Sequence, residues 1–180
     1  YPAKRMMRVF SSPRTIWCAA ACAMALCAAP VRAQTEAPDD SPEALYQSGM
    51  SRFIAGNYEQ SVEFLDQLVK VFGKEPELRQ QIDLAMYARA CALYNLARHA
   101  DAIKAFEEYI AQYPESKFAD EAGFRIGSAQ QQLEEYELAV AAYQKLRSSH
   151  PRSPYAEDAL YQVGICRLIQ ESSALASAAF

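Results

Sequence analysis

Apolar residues recur three and four positions apart through most of the chain from Pro42 onward. Before a break at Gly56 and Asn57, this spacing includes Leu45, Tyr46, Gly49, Met50 and Phe53. After the break it includes Val62, Leu65, Leu68, Val69 and Phe72. Such spacing is typical of a helix with one buried side. The pattern therefore predicts two helices joined by a short turn.

The same spacing occurs four times along the chain. Small residues stand first at Gly49, Ala90, Gly127 and Gly164, and again twelve positions later at Ser61, Ala102, Ala139 and Ala176. Four positions further on, each copy has a large apolar residue: Leu65, Phe106, Tyr143 and Phe180. Paired helices approach closely only where the facing side chains are small, and a large residue fills the space one turn away. The repeat predicts an all-α fold built from helix pairs.

Two similar junctions, PESKF and PRSPY, separate successive copies. Pro114 and Pro151 are expected to end one helix, because the residue before a proline disfavours helical geometry. Ser116 and Ser153 are expected to cap the next helix, with Pro154 at its first position. The junctions divide the chain into repeats over 42–82, 83–119, 120–156 and a truncated 157–180. Because the last copy stops early in its second helix, we expect a longer protein.

These residues resemble the tetratricopeptide repeat (TPR) family. Its A-x3-F and terminal-proline pattern is matched by Ala102, Phe106 and Pro114, and again by Ala139, Tyr143 and Pro151. The resemblance implies a right-handed superhelical solenoid of helix-turn-helix repeats over 42–180. The P-x-S-x-[FY]-A-x-x-A junction further resembles envelope TPR proteins of Gram-negative bacteria, of the Tol-Pal system type and of the outer-membrane barrel-assembly lipoprotein type.

In that family the first helix of each pair lines a concave groove that binds a protein or peptide partner. We call the matching surface the first-helix face, and it comprises Tyr46, Met50, Phe53, Tyr87, Tyr94, Phe124, Gln131, Tyr161 and Leu168. An aromatic residue stands three positions before the first small residue of every copy. The rings either stack on a partner or pack against the neighbouring helix, and the sequence leaves both interpretations open.

Residues 1–33 have the order of a secretory signal peptide. A basic start with Lys4 and Arg5 is followed by an apolar run, and Val31 and Ala33 precede an expected cleavage site before Gln34. Residues 34–41 are polar and are expected to form a flexible linker. A retained membrane anchor and lipidation of Cys22 remain as alternatives, although the apolar run is short for a span. We expect a periplasmic protein, with peripheral association with the outer membrane as the further expectation.

The chain offers little for catalysis or for binding nucleic acid. Its formal net charge is −4, and the predicted leader removes bases but no acid, so the rest is more acidic. Proteins that bind nucleic acid or anionic lipid instead carry clusters of lysine and arginine. His99 and His150 have no ligands at metal spacing, and Cys91 and Cys166 suit buried thiols. We therefore expect no catalytic residues, no metal and no cofactor, and the sequence indicates no particular oligomeric state.

Two functions of different class follow from these observations. The first is a non-enzymatic scaffold exported to the bacterial cell envelope, which binds a partner in its groove within outer-membrane assembly or Tol-Pal division machinery. The second is a set of accessory repeats at the N-terminus of a longer enzyme or cell-wall-binding protein. Sequence beyond Phe180 would separate them, because further repeats favour the scaffold and a catalytic motif favours the accessory role.

Overall fold

The computed structural model describes residues 40–178, and it describes side chains as far as Glu171. The predicted leader over 1–33, including Cys22, lies outside the described residues, as do most of the linker and Phe180. The last linker residue, Ser41, caps the first helix, because its Oγ accepts a hydrogen bond from the Ala44 N–H at 3.3 Å.

Within this range the chain forms α-helices and no strand. The helices are α1 (Pro42–Ile54), α2 (Tyr58–Phe72), α3 (Arg79–Asn95), α4 (His99–Gln112), α5 (Ala119–Gln132), α6 (Tyr136–Ser149) and α7 (Tyr155–Ala178). A short 3-10 helix, Pro76–Leu78, leads directly into α3. As a result α3 begins four residues before the start predicted for the second repeat. Each helix packs against the next one in the chain, as the predicted helix pairs require.

Tight turns join the two helices of the first three pairs at equivalent positions. Gly56, Ala97 and Glu134 all have a positive φ, of 78°, 57° and 61°. This left-handed conformation reverses the chain after a helix and is unstrained only for glycine. The break predicted at Gly56 and Asn57 is therefore confirmed, and the later copies make the same turn with residues that fit it less well.

The small residues allow close packing, as the sequence predicts. A Cβ atom added to Gly49 would lie 2.5 Å from Leu65 Cδ2, and one added to Gly127 would lie 2.6 Å from Tyr143 Cε1. The Ser61 hydroxyl, which is fully buried, donates a hydrogen bond to the Gly49 carbonyl at 2.9 Å. Leu65 and Tyr143 are fully buried too. The first and third pairs are thus held by a large side chain lying against a glycine backbone.

The fourth copy differs from its prediction. The register places a turn near Glu171, but α7 continues without a break to Ala178. A Cβ atom added to Gly164 would meet no described residue within 4 Å. The large apolar residue of this copy, Phe180, lies outside the described residues.

The serines of the two junctions also act differently from the simple caps predicted. α5 begins at Ala119, and Ser116 lies in the preceding turn. There Ser116 Oγ donates to Asp83 at 3.0 Å and accepts from the Tyr109 hydroxyl at 2.6 Å. Ser153 Oγ accepts from the Tyr155 N–H at 3.2 Å, and Pro154 precedes the first residue of α7. The first junction is therefore tied to α3 and α4 of the helix pair before it, and the second makes a local bond at the start of α7.

Candidate protein-binding face

The first-helix face lies on α1, α3, α5 and α7, the first helices of the four copies. At its α1 end, Tyr46, Met50 and Phe53 are half-buried and pack against the main hydrophobic core. Each leaves part of its side chain in contact with solvent. This end therefore offers a shallow apolar surface that is supported from beneath.

Two aromatic residues of the face stack within the protein. The Tyr87 ring lies 4.5 Å from the Phe118 ring at an interplanar angle of 10°, and the Phe124 ring lies 5.6 Å from the Tyr155 ring at 29°. Phe118 and Tyr155 are the aromatic residues of the two junctions. For Tyr87 and Phe124 the structure thus shows the packing role that the sequence left open. The junction aromatics stand at equivalent positions in the two copies, and each receives the ring of the preceding first helix.

The α7 end of the face is the most exposed part. Tyr161 is 66% exposed and Leu168 is 63% exposed, although Tyr161 stands at the same register position as Tyr87. Gln131 on α5 reaches α7, where its amide nitrogen donates to Gln162 at 3.2 Å, and its oxygen accepts from the Tyr143 hydroxyl at 2.5 Å. Large apolar side chains that stay in water and sit beside fixed polar groups are typical of a protein-binding surface.

An ion pair that the sequence analysis did not single out lies near the middle of the face. Arg125 Nη2 and Nε donate to Glu121 Oε1 at 2.6 Å and 2.9 Å, one turn apart on α5. The Arg125 guanidinium also lies 5.9 Å from the Tyr94 ring centre and so reaches α3. A glutamate four residues before an arginine is the sequence signal that could have revealed it.

Several neighbours hold this ion pair in its charged state. Burial alone would raise the pKa of Glu121, but hydrogen bonds from Tyr87, Arg125 and Tyr155, together with the Arg125 charge, outweigh it and lower that pKa. Burial would likewise lower the pKa of Arg125, yet its contacts, above all the hydrogen bond to Glu121, raise it. The face therefore presents a fixed dipole between aromatic rings, which suits recognition of polar groups on a partner.

The chemistry of the described residues suits binding better than catalysis. Burial raises the pKa of the Cys91 thiol, which keeps it protonated and a poor nucleophile. This residue is buried, so it does not line the face. No group of three or more histidine, cysteine or acidic side chains in residues 40–171 is arranged to hold a metal ion. None of the helices described is both long and apolar enough to cross a membrane.

A family model described as YfiO, outer membrane lipoprotein, matches residues 38–124 and, in a second overlapping match, residues 80–150. Together the two matches cover more than half of the chain. The chain belongs to this family. The YfiO membership and the fold both indicate a protein-interaction scaffold, and no match indicates a catalytic family. The sequence has no significant match among curated proteins.

Several solved structures similar to this YfiO-family chain are TPR domains. The first TPR domain of human RPAP3 shares 19% identity at a TM-score of 0.57, covering 73% of this chain and 96% of that one. The Arabidopsis OM64 TPR domain shares 18% identity at a TM-score of 0.54, and the match covers 69% of this chain and 94% of that one. The TPR2B domain of yeast Sti1, in complex with pHsp70, shares 18% identity at a TM-score of 0.54, and the match covers 71% of this chain and 96% of that one. These likenesses confirm the predicted all-α TPR solenoid.

Proposed function

We propose that this chain is a non-enzymatic scaffold of the bacterial cell envelope, and that its first-helix face binds a segment of a partner protein. The family description, an outer membrane lipoprotein, supports an envelope location. The neighbouring TPR domain in complex with pHsp70 supports a protein or peptide as the ligand. The proposed setting is the periplasmic side of the outer membrane, reached through the predicted leader, in barrel-assembly or Tol-Pal division machinery.

The observation that carries this proposal is the row of partly exposed apolar and polar groups along the face, from Tyr46, Met50 and Phe53 on α1, through the Glu121–Arg125 ion pair on α5, to α7. Tyr161 and Leu168 are two large apolar residues, each more than 60% exposed and two helical turns apart. A stiff aromatic ring and an aliphatic side chain at this distance supply contact area at a low entropy cost. Gln131 and the Glu121–Arg125 pair then add polar contacts toward the middle of the face. A partner segment that runs from α7 toward α3 would meet these groups in that order.

A capture experiment with purified exported protein tests this surface. The wild type is expected to retain a defined partner from a detergent extract of the envelope, and the Tyr161→Ala/Leu168→Ala variant is expected to lose it. The matched control is Ile54→Ala/Val71→Ala, which removes two residues of similar exposure outside the face. Circular dichroism should show the same helical signal for all three proteins, because exposed side chains add little to folding. Equal capture by both variants would contradict the proposal.

A further inference from the structure

A second groove lies on the other side of α5, and we call it the outer groove. It has a volume of about 520 Å³ between α4, α5 and α6, and its apolar lining includes Ile110, Gly123, Ile126, Leu138, Ala142 and Leu146. At 3.6 residues per turn, Gly123 and Ile126 project from the side of α5 opposite to Glu121 and Arg125. The outer groove is therefore separate from the first-helix face.

The equivalent space in the preceding copy is closed. The register places Met86 where α5 has Gly123, and the Met86 side chain is buried. It also places Arg89 where α5 has Ile126, and Arg89 bridges Asp66 on α2 at 3.1 Å and Glu108 on α4 at 3.0 Å. In the preceding copy, a large side chain and two ion pairs thus occupy the space that corresponds to the outer groove. The outer groove is open because of its own residues, not because the fold requires it.

The polar groups of the outer groove indicate what fits it. Glu107 on the α4 wall and Lys145 on the α6 wall carry opposite charges, and neither forms an ion pair with a described residue. Gln130 also lines the groove, and its Oε1 is buried without a hydrogen-bond partner among the described residues. An occupant with an apolar side, a basic flank and an acidic flank would complement these groups.

We propose that the outer groove binds an amphipathic α-helix of a partner protein. Its apolar side chains lie against Ile126 and Leu146, a basic residue faces Glu107 and an acidic residue faces Lys145. Between Glu107 and Lys145 the groove is mostly apolar, so an extended segment would leave many of its backbone groups without partners, whereas a helix satisfies its own. The groove-lining residues of α6 extend from 138 to 149, about 17 Å or three helical turns, which is enough for anchors at i, i+4 and i+7.

A synthetic peptide tests the proposal directly. The probe is an 18-residue helix with leucine at i, i+4, i+7 and i+11, lysines along one flank, glutamates along the other and one tryptophan on the leucine side. The chain beyond the predicted leader contains no tryptophan, so the peptide fluorescence reports binding to the exported protein alone. Wild-type protein is expected to shift the emission to the blue and to saturate. Absence of a saturable shift would overturn the proposal.

Two variants fill the outer groove in different ways. Gly123→Met introduces the side chain that Met86 provides in the preceding copy. A Cβ atom at position 123 would meet Leu146 Cδ1 at an ordinary 3.5 Å. Ala141→Leu fills the groove from an exposed wall position and does not depend on the core. Each should weaken peptide binding by about ten-fold or more, the loss expected for blocking a central anchor, while Gly123→Ala changes it little. Unchanged binding by both filling variants would overturn the proposal.

A charge variant distinguishes a helix from an acyl chain, which would also suit an apolar groove. Lys145→Glu makes both walls acidic, so the preferred peptide should change from the lysine/glutamate form to one with lysines on both flanks. If the preference stays unchanged and sodium palmitate displaces the peptide, the groove is a lipid site and the proposal fails. The Tyr161→Ala/Leu168→Ala variant should bind the peptide normally, so this test and that of the first-helix face have independent outcomes.

Discussion

Two glycines one turn apart on α5 provide a sharp test of the packing between paired helices. A Cβ atom at Gly127 would lie 2.6 Å to 2.8 Å from three atoms of the Tyr143 ring, whereas one at Gly123 would lie no closer than 3.5 Å to Leu146. The Tyr143 ring is fully buried, and its hydroxyl is hydrogen-bonded to Gln131 at 2.5 Å. The ring therefore has little freedom to move aside.

The expected magnitudes follow from two opposing effects. Glycine to alanine within a helix raises the free energy of unfolding by about 1 kcal/mol, because alanine has the higher helix propensity. Overpacking a buried site lowers it by about 1–3 kcal/mol. Gly123→Ala should therefore stabilise the protein by about 1 kcal/mol. Gly127→Ala should be neutral or destabilising by up to about 2 kcal/mol, so overpacking sets the difference between the two variants.

Thermal unfolding followed by circular dichroism measures this difference. For a chain of this size, a change of 1 kcal/mol in the free energy of unfolding shifts Tm by about 2–4 °C. Gly127→Ala should therefore melt several degrees below Gly123→Ala. The second copy pairs Ala90 with Phe106, so adding Tyr143→Phe to Gly127→Ala should recover part of the loss by freeing the ring from its hydrogen bond. Equal Tm values for the two alanine variants would refute the close packing of Gly127 against Tyr143.

Three further changes test local features of the fold by the same unfolding measurement. Ser61→Ala removes the buried hydrogen bond to the Gly49 carbonyl and should lower the free energy of unfolding by about 1–2 kcal/mol. An unchanged free energy of unfolding would contradict that bond. Ala97→Gly should stabilise by up to about 1 kcal/mol, because Ala97 adopts a φ of 57°; a lower Tm would contradict a strained turn. Glu121→Gln should destabilise at pH 7. Because the folded-state pKa of Glu121 is depressed, the advantage of the wild type should vanish as the pH falls from about 5 through that pKa. A difference independent of pH would be inconsistent with the ion pair.

The helix pairs could be predicted from the sequence because their contacts recur at fixed spacing. Gly127 and Tyr143 stand sixteen positions apart, as do Gly49 and Leu65, and each glycine lies against its large residue. The spacing constrains one helix pair at a time, so the pairing needs no knowledge of the distant chain. For Gly164 the spacing predicted a close contact that no described residue makes, because α7 continues through the position of the predicted turn.

The candidate surfaces depend on neighbours and were harder to predict. Tyr87 and Tyr161 are equivalent in register, yet among the described residues a junction aromatic, Phe118, stacks on Tyr87 and none stacks on Tyr161. Exposure of these rings is therefore decided by the adjoining copy and not by the residue itself. The outer groove arises from a difference between copies, Gly123 in place of Met86, and a search for what the repeats share passes over such differences.

Site-specific photo-crosslinking in a Gram-negative host is the most direct test of partner binding at the first-helix face. A photoreactive amino acid replaces Leu168, or replaces Val71 on α2 as an equally exposed control outside the face. The scaffold account predicts a discrete crosslinked protein product from position 168 and none from position 71. Equal products from both positions, or none from position 168, would contradict it.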